Sequence, residues 1–296
     1  MKGTGTHMKS INRILAATDF APLGNAAVER AIMLAARDKA RLHVVHAFPK
    51  LSTLNAILAT GDSLHGQLRV GAQEHLEDLV RRAGADAATI NAEVVEGSAA
   101  EVISRAAGDF SPDLIVIGAH AKGAVQQFFL GGTASRILVR ANCPVLVVRQ
   151  PTKADYARVL AAVDLEPDST RVIENALAMS RHGRIIVAHA YQPPFDSRLR
   201  LNAISAEYFE RLAENEAAKA QSRMAELIAT LALTGANLQT RVTRGHPNPV
   251  LLDLAVEINA DLIVALRHKG SRIEETIMGS IARLLAYYAP CDVLLA

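Results

Sequence analysis

The sequence has little of what several classes of protein depend on. It contains two cysteines, Cys143 and Cys291, and no CxxC pair or Cys/His cluster, so neither a disulfide framework nor a structural zinc site is expected. No apolar run approaches the roughly 18 residues of a membrane span. Lys plus Arg number 32 and Asp plus Glu 30, which gives no electrostatic reason to expect nucleic acid or an anionic membrane as a partner.

Aromatic residues are also scarce, at 4% with no tryptophan, although half of all residues are hydrophobic. The core must therefore consist of Ala, Val, Ile and Leu, as expected for parallel sheets that are covered by helices. Residues 1–7 resemble a leader left by recombinant expression, which makes Met8 the expected natural start. No secretory signal is recognisable, and the expected location is cytoplasmic.

The second half of the chain repeats the first. Residues 13–19 read RILAATD and residues 158–164 read RVLAAVD, at an offset of 145. Later landmarks recur at an offset of 148: Asp113 and Asp261, Gly131 and Gly279, Cys143 and Cys291. A net insertion of three residues in the second copy accounts for the change. The shared register predicts a duplicated domain, with copies at 8–150 and 151–296.

Each copy alternates short apolar strands with helices. Strands are predicted at 13–18, 41–47, 91–96, 113–118 and 145–149, and again at 158–163, 184–190, 238–244, 261–266 and 292–295. The longest predicted helices span about 63–83 and 205–232. This alternation predicts an α/β fold in which each domain has a five-stranded parallel sheet, Rossmann-like in its layering.

Ligands of open α/β sheets bind beyond the carboxyl ends of the strands, so the residues that follow the strands are the candidates for a site. Asp19 closes the first strand, and Asp164 recurs at the matching position. A carboxylate there can accept hydrogen bonds from a hydroxyl or amine of a ligand. It can equally be a turn or N-cap residue, because Asp is favoured before helices.

A glycine-containing segment follows the fourth strand, from Gly118 to Gly123, and Gly131-Gly132-Thr133 opens the next helix. Backbone amides in such a loop and at a helix N-terminus can bind an anion, although a helix cap beside a surface loop gives the same pattern. Ala124 and Val125 stand where a P-loop needs Lys and Ser/Thr, which excludes that motif.

The histidines and cysteines suggest no further chemistry. His43, His46 and His189 lie in predicted strands, where core or rim residues are commoner than metal ligands. His120 and His268 occupy matching loops, but no acid or nucleophile is spaced to complete a triad. Both cysteines are interpreted as small buried hydrophobic residues.

Together these motifs resemble the universal stress protein family over nearly the whole chain, from Ile11 to Ala296. The resemblance rests on the strand-end Asp, a late Gly-x2-Gly-x9-Gly-Ser/Thr loop and a final apolar strand. It implies a tandem protein with two domains of the adenine nucleotide alpha hydrolase-like fold.

The family's ATP-binding loop is altered in both copies. In the first copy the motif falls on Gly118, Ala121, Gly131 and Gly132, with Thr133 one place later. In the second copy it falls on Leu266, Lys269, Gly279 and Ser280. Bulky side chains at two positions predict a degenerate second site, so an ATP-type ligand is expected in the first domain.

The resemblance further implies which residues bind the ligand. They are Thr18, Asp19, Ala47, Ile117, Gly118, Ala121, Lys122, Gly131, Gly132 and Thr133. The implied function is a stress-response protein that binds a small ligand, ATP or a related adenine nucleotide, with no metal required. Two alternatives remain open: a slow ATP hydrolase, and a structural or partner-binding protein whose sites have decayed.

Family members also pair through the last strand of the domain. The matching segments here are 145–148 and 293–295, both apolar on consecutive residues. Pairing would cover two strand edges that otherwise invite aggregation. We therefore expect the two domains to form an internal pseudo-dimer, with a crosswise homodimer as the competing arrangement.

The pseudo-dimer can be tested with Val147→Pro, which removes one backbone donor from the first of these strands. We expect this variant to loosen the association of the domains while the core of the second domain stays intact, as measured by thermal unfolding and limited proteolysis. Unchanged stability of the variant, together with freely separating halves after cleavage of the wild type near Pro151, would contradict the pairing.

Overall fold

The computed structural model describes residues 11–50, 62–84, 90–121, 128–151, 154–193, 206–231, 237–267 and 279–296. The chain divides into two compact units, which we call domain 1 (Ser10–Ala154) and domain 2 (Asp155–Ala296). The boundary lies four residues beyond the position expected from the sequence. Among the described residues, no helix is long and apolar enough to cross a membrane.

Domain 1 alternates strands and helices along its length. Its elements are β1 (Arg13–Thr18), α1 (Pro22–Asp38), β2 (Arg41–Phe48), α2 (Asp62–Arg82), β3 (Ile90–Glu96), α3 (Ala99–Phe110), β4 (Leu114–Gly118), β5 (His120–Ala121), β6 (Phe128–Phe129), α4 (Gly132–Arg140) and β7 (Val145–Val148).

Domain 2 repeats this order except for β5 and β6, whose matching segment lies outside the described residues. Its elements are β8 (Arg158–Ala162), α5 (Ser169–Met179), β9 (Arg184–Tyr191), α6 (Ala206–Thr230), β10 (Leu238–Arg244), α7 (Pro247–Glu257), β11 (Leu262–Ala265), α8 (Ser280–Tyr288) and β12 (Asp292–Leu295).

The strands of each domain form a parallel sheet. The order is β7-β4-β1-β2-β3 in domain 1 and β12-β11-β8-β9-β10 in domain 2. The α/β fold with five parallel strands per domain is therefore confirmed. In both sheets the strand order reverses beside the first strand of the domain, between β1 and β4 and between β8 and β11. Such a switch point leaves a crevice at the carboxyl ends of the two strands.

Apolar strands and amphipathic helices account for the layers. Ile14 to Ala16 in β1 and Leu114 to Ile117 in β4 are buried, as expected for strands that are covered on both faces. The helix α1 begins with Pro22, whose fixed φ suits a first helical turn. Its C-cap residue, Lys39, is in the left-handed conformation that commonly ends a helix. Its inner face, which includes Ala27, Val28 and Ala31, is fully buried.

A carboxylate joins the first and fourth strands at the opposite, amino end of each sheet. Asp113 Oδ2 accepts hydrogen bonds from the backbone amides of Asn12 and Arg13, both at 3.0 Å. In domain 2, Asp261 accepts hydrogen bonds from the amides of Ala157 and Arg158. These amides lie at the start of the first strand of each domain, so the repeated Asp serves the same purpose in both copies.

Asp113→Ala should destabilise domain 1 by about 1–3 kcal/mol, because two backbone donors at the start of β1 lose a charged acceptor. Urea unfolding followed by far-UV circular dichroism measures the change. Asp109→Ala, at an exposed position of α3, is the matched control and should have little effect. Equal stability of the two variants would mean that the Asp113 hydrogen bonds contribute nothing net.

Candidate functional site

Domain 1 contains a cavity of about 720 Å³ at the carboxyl ends of β1 and β4, where the strand order reverses. That volume is within the range of small-molecule and cofactor sites. Eight of the residues singled out from the sequence line it: Thr18, Asp19, Ala47, Ile117, Gly118, Gly131, Gly132 and Thr133. The fold thus gathers residues from the first, middle and last thirds of the domain around one space.

The other two singled-out residues are not among those lining the cavity. Ala121 lies in β5, which pairs with β6 in a short antiparallel hairpin instead of forming an open loop. Lys122 lies outside the described residues, as do His268 and Lys269 of domain 2. The sequence did not predict this hairpin, because two-residue strands are too short to produce a recognisable alternation of polar and apolar residues.

Asp19 makes a turn and also faces the cavity. Its Oδ1 accepts a hydrogen bond from the amide of Ala21 at 3.0 Å, so the carboxylate holds the turn that leads into α1. Ala21, not Asp19, is the N-cap residue of that helix. Phe20, between them, has a φ of 63°, in the left-handed region that residues other than glycine rarely adopt.

Thr18 and Asn25 stabilise the same turn with hydrogen bonds from their side chains. The Thr18 hydroxyl donates to Asn25 Oδ1 at 2.9 Å and accepts from the amide of Phe20 at 2.9 Å. The Asn25 amide group donates in turn to the carbonyl oxygen of Phe20 at 3.2 Å. Asn25, in the first turn of α1, thus makes one hydrogen bond to the end of β1 and one to the turn, and Thr18 makes a further one to the turn.

His46 supports the strained Phe20 from the neighbouring strand. The two rings stack with centroids 4.1 Å apart, and His46 Nδ1 is 2.9 Å from the carbonyl oxygen of Thr18. Burial holds the pKa of His46 below its usual value, and the hydrogen bond to Thr18 only partly offsets this effect. The imidazole is therefore neutral at pH 7 and donates from Nδ1. His189 makes the same contact with Val163 in domain 2, at 2.9 Å.

The helix α4 presents its N-terminus to the cavity. Gly131 is its N-cap residue, with φ −64° and ψ 159°, and no acidic residue lies in the first turn. The first amides of a helix have no partner within it and carry the positive end of the helix dipole. A Cβ built on Gly132 would have no described atom within 4 Å. The space beside the first turn of α4 is therefore open, and a ligand can approach this wall of the cavity closely.

Gly118 has a packing reason to be glycine besides any contact with a ligand. A Cβ built there would lie 2.5 Å from the carbonyl carbon and oxygen of Leu23 and 2.7 Å from the amide nitrogen of Gly24. The backbone of α1 therefore rests directly on the end of β4. Leu266, the matching residue of domain 2, is buried and lines a smaller cavity.

That second cavity has a volume of about 130 Å³ and lies at the same place in domain 2. Asp164, Leu266 and Ile281 are among its lining residues. Asp164 Oδ1 accepts hydrogen bonds from the amide of Glu166 at 3.1 Å and from the Ser169 hydroxyl at 2.7 Å. Leu165 repeats the left-handed conformation of Phe20, with a φ of 62°. The turn is the same in both domains, but the space beside it is not.

Several residues of the larger cavity were missed at the level of sequence. Ala99 and Ile103 line it from α3, and Val45, Leu130 and Gly24 complete the apolar wall. The four-residue spacing of Ala99 and Ile103, one helical turn apart, was an available signal. It was indistinguishable from an ordinary core-facing stripe.

No metal centre or disulfide accompanies the site. The described residues contain no group of three or more His, Cys, Asp or Glu side chains that is placed to hold a metal ion. Cys143 is half-buried and Cys291 is buried, and neither is in a disulfide. The cavity offers hydrogen-bonding groups and an apolar wall, not an obvious nucleophile.

The fold and the site define an α/β protein with a ligand cavity at the switch point of a parallel sheet. The family model described as "Universal stress protein family" matches residues 10–149 and again 155–296. Because the two matches cover nearly the whole chain, the chain belongs to the universal stress protein family, with two family domains in tandem.

Individual relatives agree with the family match. Universal stress protein A homolog 1 of Coxiella burnetii is 32% identical over 148 residues, which cover 47% of this chain and 94% of that protein. Universal stress protein MJ0531 of Methanocaldococcus jannaschii is 29% identical over 143 residues, 48% of this chain and 84% of that protein. Each relative matches about half of this chain, which fits a duplication.

A solved structure resembles the chain over both domains. The universal stress protein from Archaeoglobus fulgidus superposes with a TM-score of 0.68 at 18% identity, over 97% of this chain and 98% of that one. At this level of identity, the likeness concerns the fold alone.

Gly118→Ala should destabilise domain 1 by about 1–3 kcal/mol, because the methyl group forces the backbone of α1 away from β4. Urea unfolding without added ligand measures the change. Gly132→Ala is the matched control, since its methyl group has open space, and it should cost nothing. If the two variants are equally stable, the close approach of Leu23 to Gly118 is not a constraint.

Proposed function

We propose that this protein is a stress-response protein that binds an adenine nucleotide, ATP in the first instance, in the cavity of domain 1. The observation that carries the proposal is the pairing, within one cavity of about 720 Å³, of a strand-end carboxylate with a helix N-terminus. The carboxylate can accept a hydrogen bond from a hydroxyl or amino group of the ligand. The amides around Gly131, Gly132 and Thr133 can donate to a phosphate.

The apolar lining of the same cavity supports the same proposal. Val45, Ile103 and Ile117 offer a surface on which a flat base can pack, and Leu130 lies beside α4. A ligand with an aromatic base, a donor-bearing middle and an anionic end matches these three kinds of group. Belonging to the universal stress protein family agrees with a small ligand of this kind.

For domain 2 we propose no nucleotide. A cavity of about 130 Å³ is smaller than the sites that hold cofactors. Its Asp164 carboxylate already accepts the Ser169 hydroxyl. The family relation and the retained fold support a structural or partner-binding role for this domain, including the internal pairing expected from 145–148 and 293–295.

We further propose that the protein works in the cytoplasm. Two thiols without a disulfide agree with a reducing compartment.

Gly131→Val tests the nucleotide proposal directly. The branched side chain fills the space in front of the α4 amides, so the affinity for ATP should fall by at least about tenfold, or about 1.4 kcal/mol, in isothermal titration calorimetry. Both the native φ of −64° and the ψ of 159° are open to valine, so the fold should persist.

Gly279→Val is the matched control, because Gly279 is the N-cap residue of α8 in domain 2. It should leave the affinity for ATP unchanged. If Gly279→Val weakened ATP binding and Gly131→Val did not, the nucleotide would bind in domain 2, which would contradict the proposal. A phosphate-release assay on the wild type then separates binding alone from slow hydrolysis.

A further inference from the structure

The two domains differ at the residue that lies five positions after the strand-end aspartate. Domain 1 has Gly24 after Asp19, and domain 2 has Ser169 after Asp164. Both residues are in the first turn of the helix that follows, α1 or α5. Both are buried, Ser169 completely, so this position contacts the interior of the turn and not solvent.

In domain 2 the serine hydroxyl occupies the carboxylate. Ser169 Oγ donates to Asp164 Oδ1 at 2.7 Å, and the same oxygen accepts the amide of Glu166 at 3.1 Å. The first interaction is a charge-assisted hydrogen bond to an ionised group, which is a strong kind. A donor from outside would have to displace a buried hydroxyl that has already been desolvated.

In domain 1 residue 24 has no side chain, and the Asp19 carboxylate takes this place. An ideal Cβ on Gly24 would lie only 2.4 Å from Asp19 Oδ1 and 3.1 Å from Thr18 Oγ1. The carboxylate oxygen therefore projects into the volume that a side chain at position 24 would take. Gly24 and Asp19 both line the large cavity, so that volume is continuous with it.

We propose that residue 24 determines whether the Asp19 carboxylate is available to the ligand. Glycine leaves Oδ1 open, and a hydroxyl or amine of the ligand takes the position that the Ser169 hydroxyl takes beside Asp164. The residue acts on specificity, because it selects ligands that carry such a donor, while domain 2 supplies the donor itself. This inference rests on the proposed ligand site in domain 1, but it also makes a statement about the two carboxylates that needs no ligand.

The first part of the test measures the affinity of the full chain for ATP by isothermal titration calorimetry. Gly24→Ser should weaken binding by about tenfold, the worth of one hydrogen bond to a charged group. Ser169→Gly, the inverse change in domain 2, should leave the affinity unchanged. Because a Cβ at residue 24 would lie 2.4 Å from Asp19 Oδ1 and 3.0 Å from the Asp19 amide nitrogen, the Asp19 carboxylate must turn away to admit the serine, and circular dichroism checks that Gly24→Ser folds.

The second part measures carboxylate reactivity without nucleotide. A water-soluble carbodiimide with an amine labels accessible carboxylates, and mass spectrometry gives the rate at each residue. Gly24→Ser should slow the labelling of Asp19 relative to wild type, and Ser169→Gly should accelerate that of Asp164. If Gly24→Ser does not fold, the Asp164 rate in Ser169→Gly decides.

The outcomes separate the two proposals. If the variants change the labelling of the two carboxylates but the wild type does not bind ATP, the nucleotide proposal is overturned. The proposal that residue 24 controls access to Asp19 would then still hold. Unchanged labelling in both variants would overturn the control by residue 24, whatever ATP does. Equal ATP affinity of Gly24→Ser and the wild type, despite changed labelling, would also overturn it, because the ligand would then not use Asp19.

Discussion

The turn between the first strand and the first helix is the constraint on which the rest of each domain depends. In both copies a non-glycine residue takes the left-handed conformation, and the preceding carboxylate accepts the amide two residues after it. This geometry lets α1 start immediately at the end of β1, so that its backbone reaches Gly118 at the end of β4. The sheet, the helix and the mouth of the cavity are thus fixed by one short segment.

The strain in that segment is offset by its neighbours. Phe20 stacks on His46, and Thr18 and Asn25 hydrogen-bond on its inner side. Conformations that cost about 1–3 kcal/mol persist only where the surroundings over-determine them, and they concentrate at ligand sites. Domain 2 keeps the conformation at Leu165 although its cavity is small. The turn therefore belongs to the fold of both domains and does not depend on the size of the cavity beside it.

Much of the fold could be predicted from the sequence, because buried parallel strands appear in it as continuous runs of apolar residues. The strands β1, β10 and β12 have the predicted bounds, and the other predicted strands differ by one residue at one end or, for β11, at both. The repeat made each domain a check on the other. The hairpin of β5 and β6 could not be predicted, since two-residue strands depend on their pairing and not on a pattern.

The site was predictable only where chemistry is concentrated at strand ends. Asp19 and Gly131 stand out because ligands of open α/β sheets bind beyond strand ends and at helix N-termini, although a turn and a helix cap give the same pattern. Ala99 and Ile103 did not, since an apolar residue over a ligand looks like one over a core. The contrast of Gly24 with Ser169 was visible in the sequence, but its meaning depends on a distance of 2.7 Å that no spacing reveals.

Of the two cavities at the switch points, about 720 Å³ and about 130 Å³, only the first has room for a ligand of nucleotide size among the described residues. Duplication normally provides two equivalent sites, and two coupled sites are what cooperative binding requires. With the proposed nucleotide site in domain 1 alone, the duplicated scaffold would carry one site, and its occupancy would rise along a simple hyperbola. A steeper response to ligand concentration would have to come from association between chains.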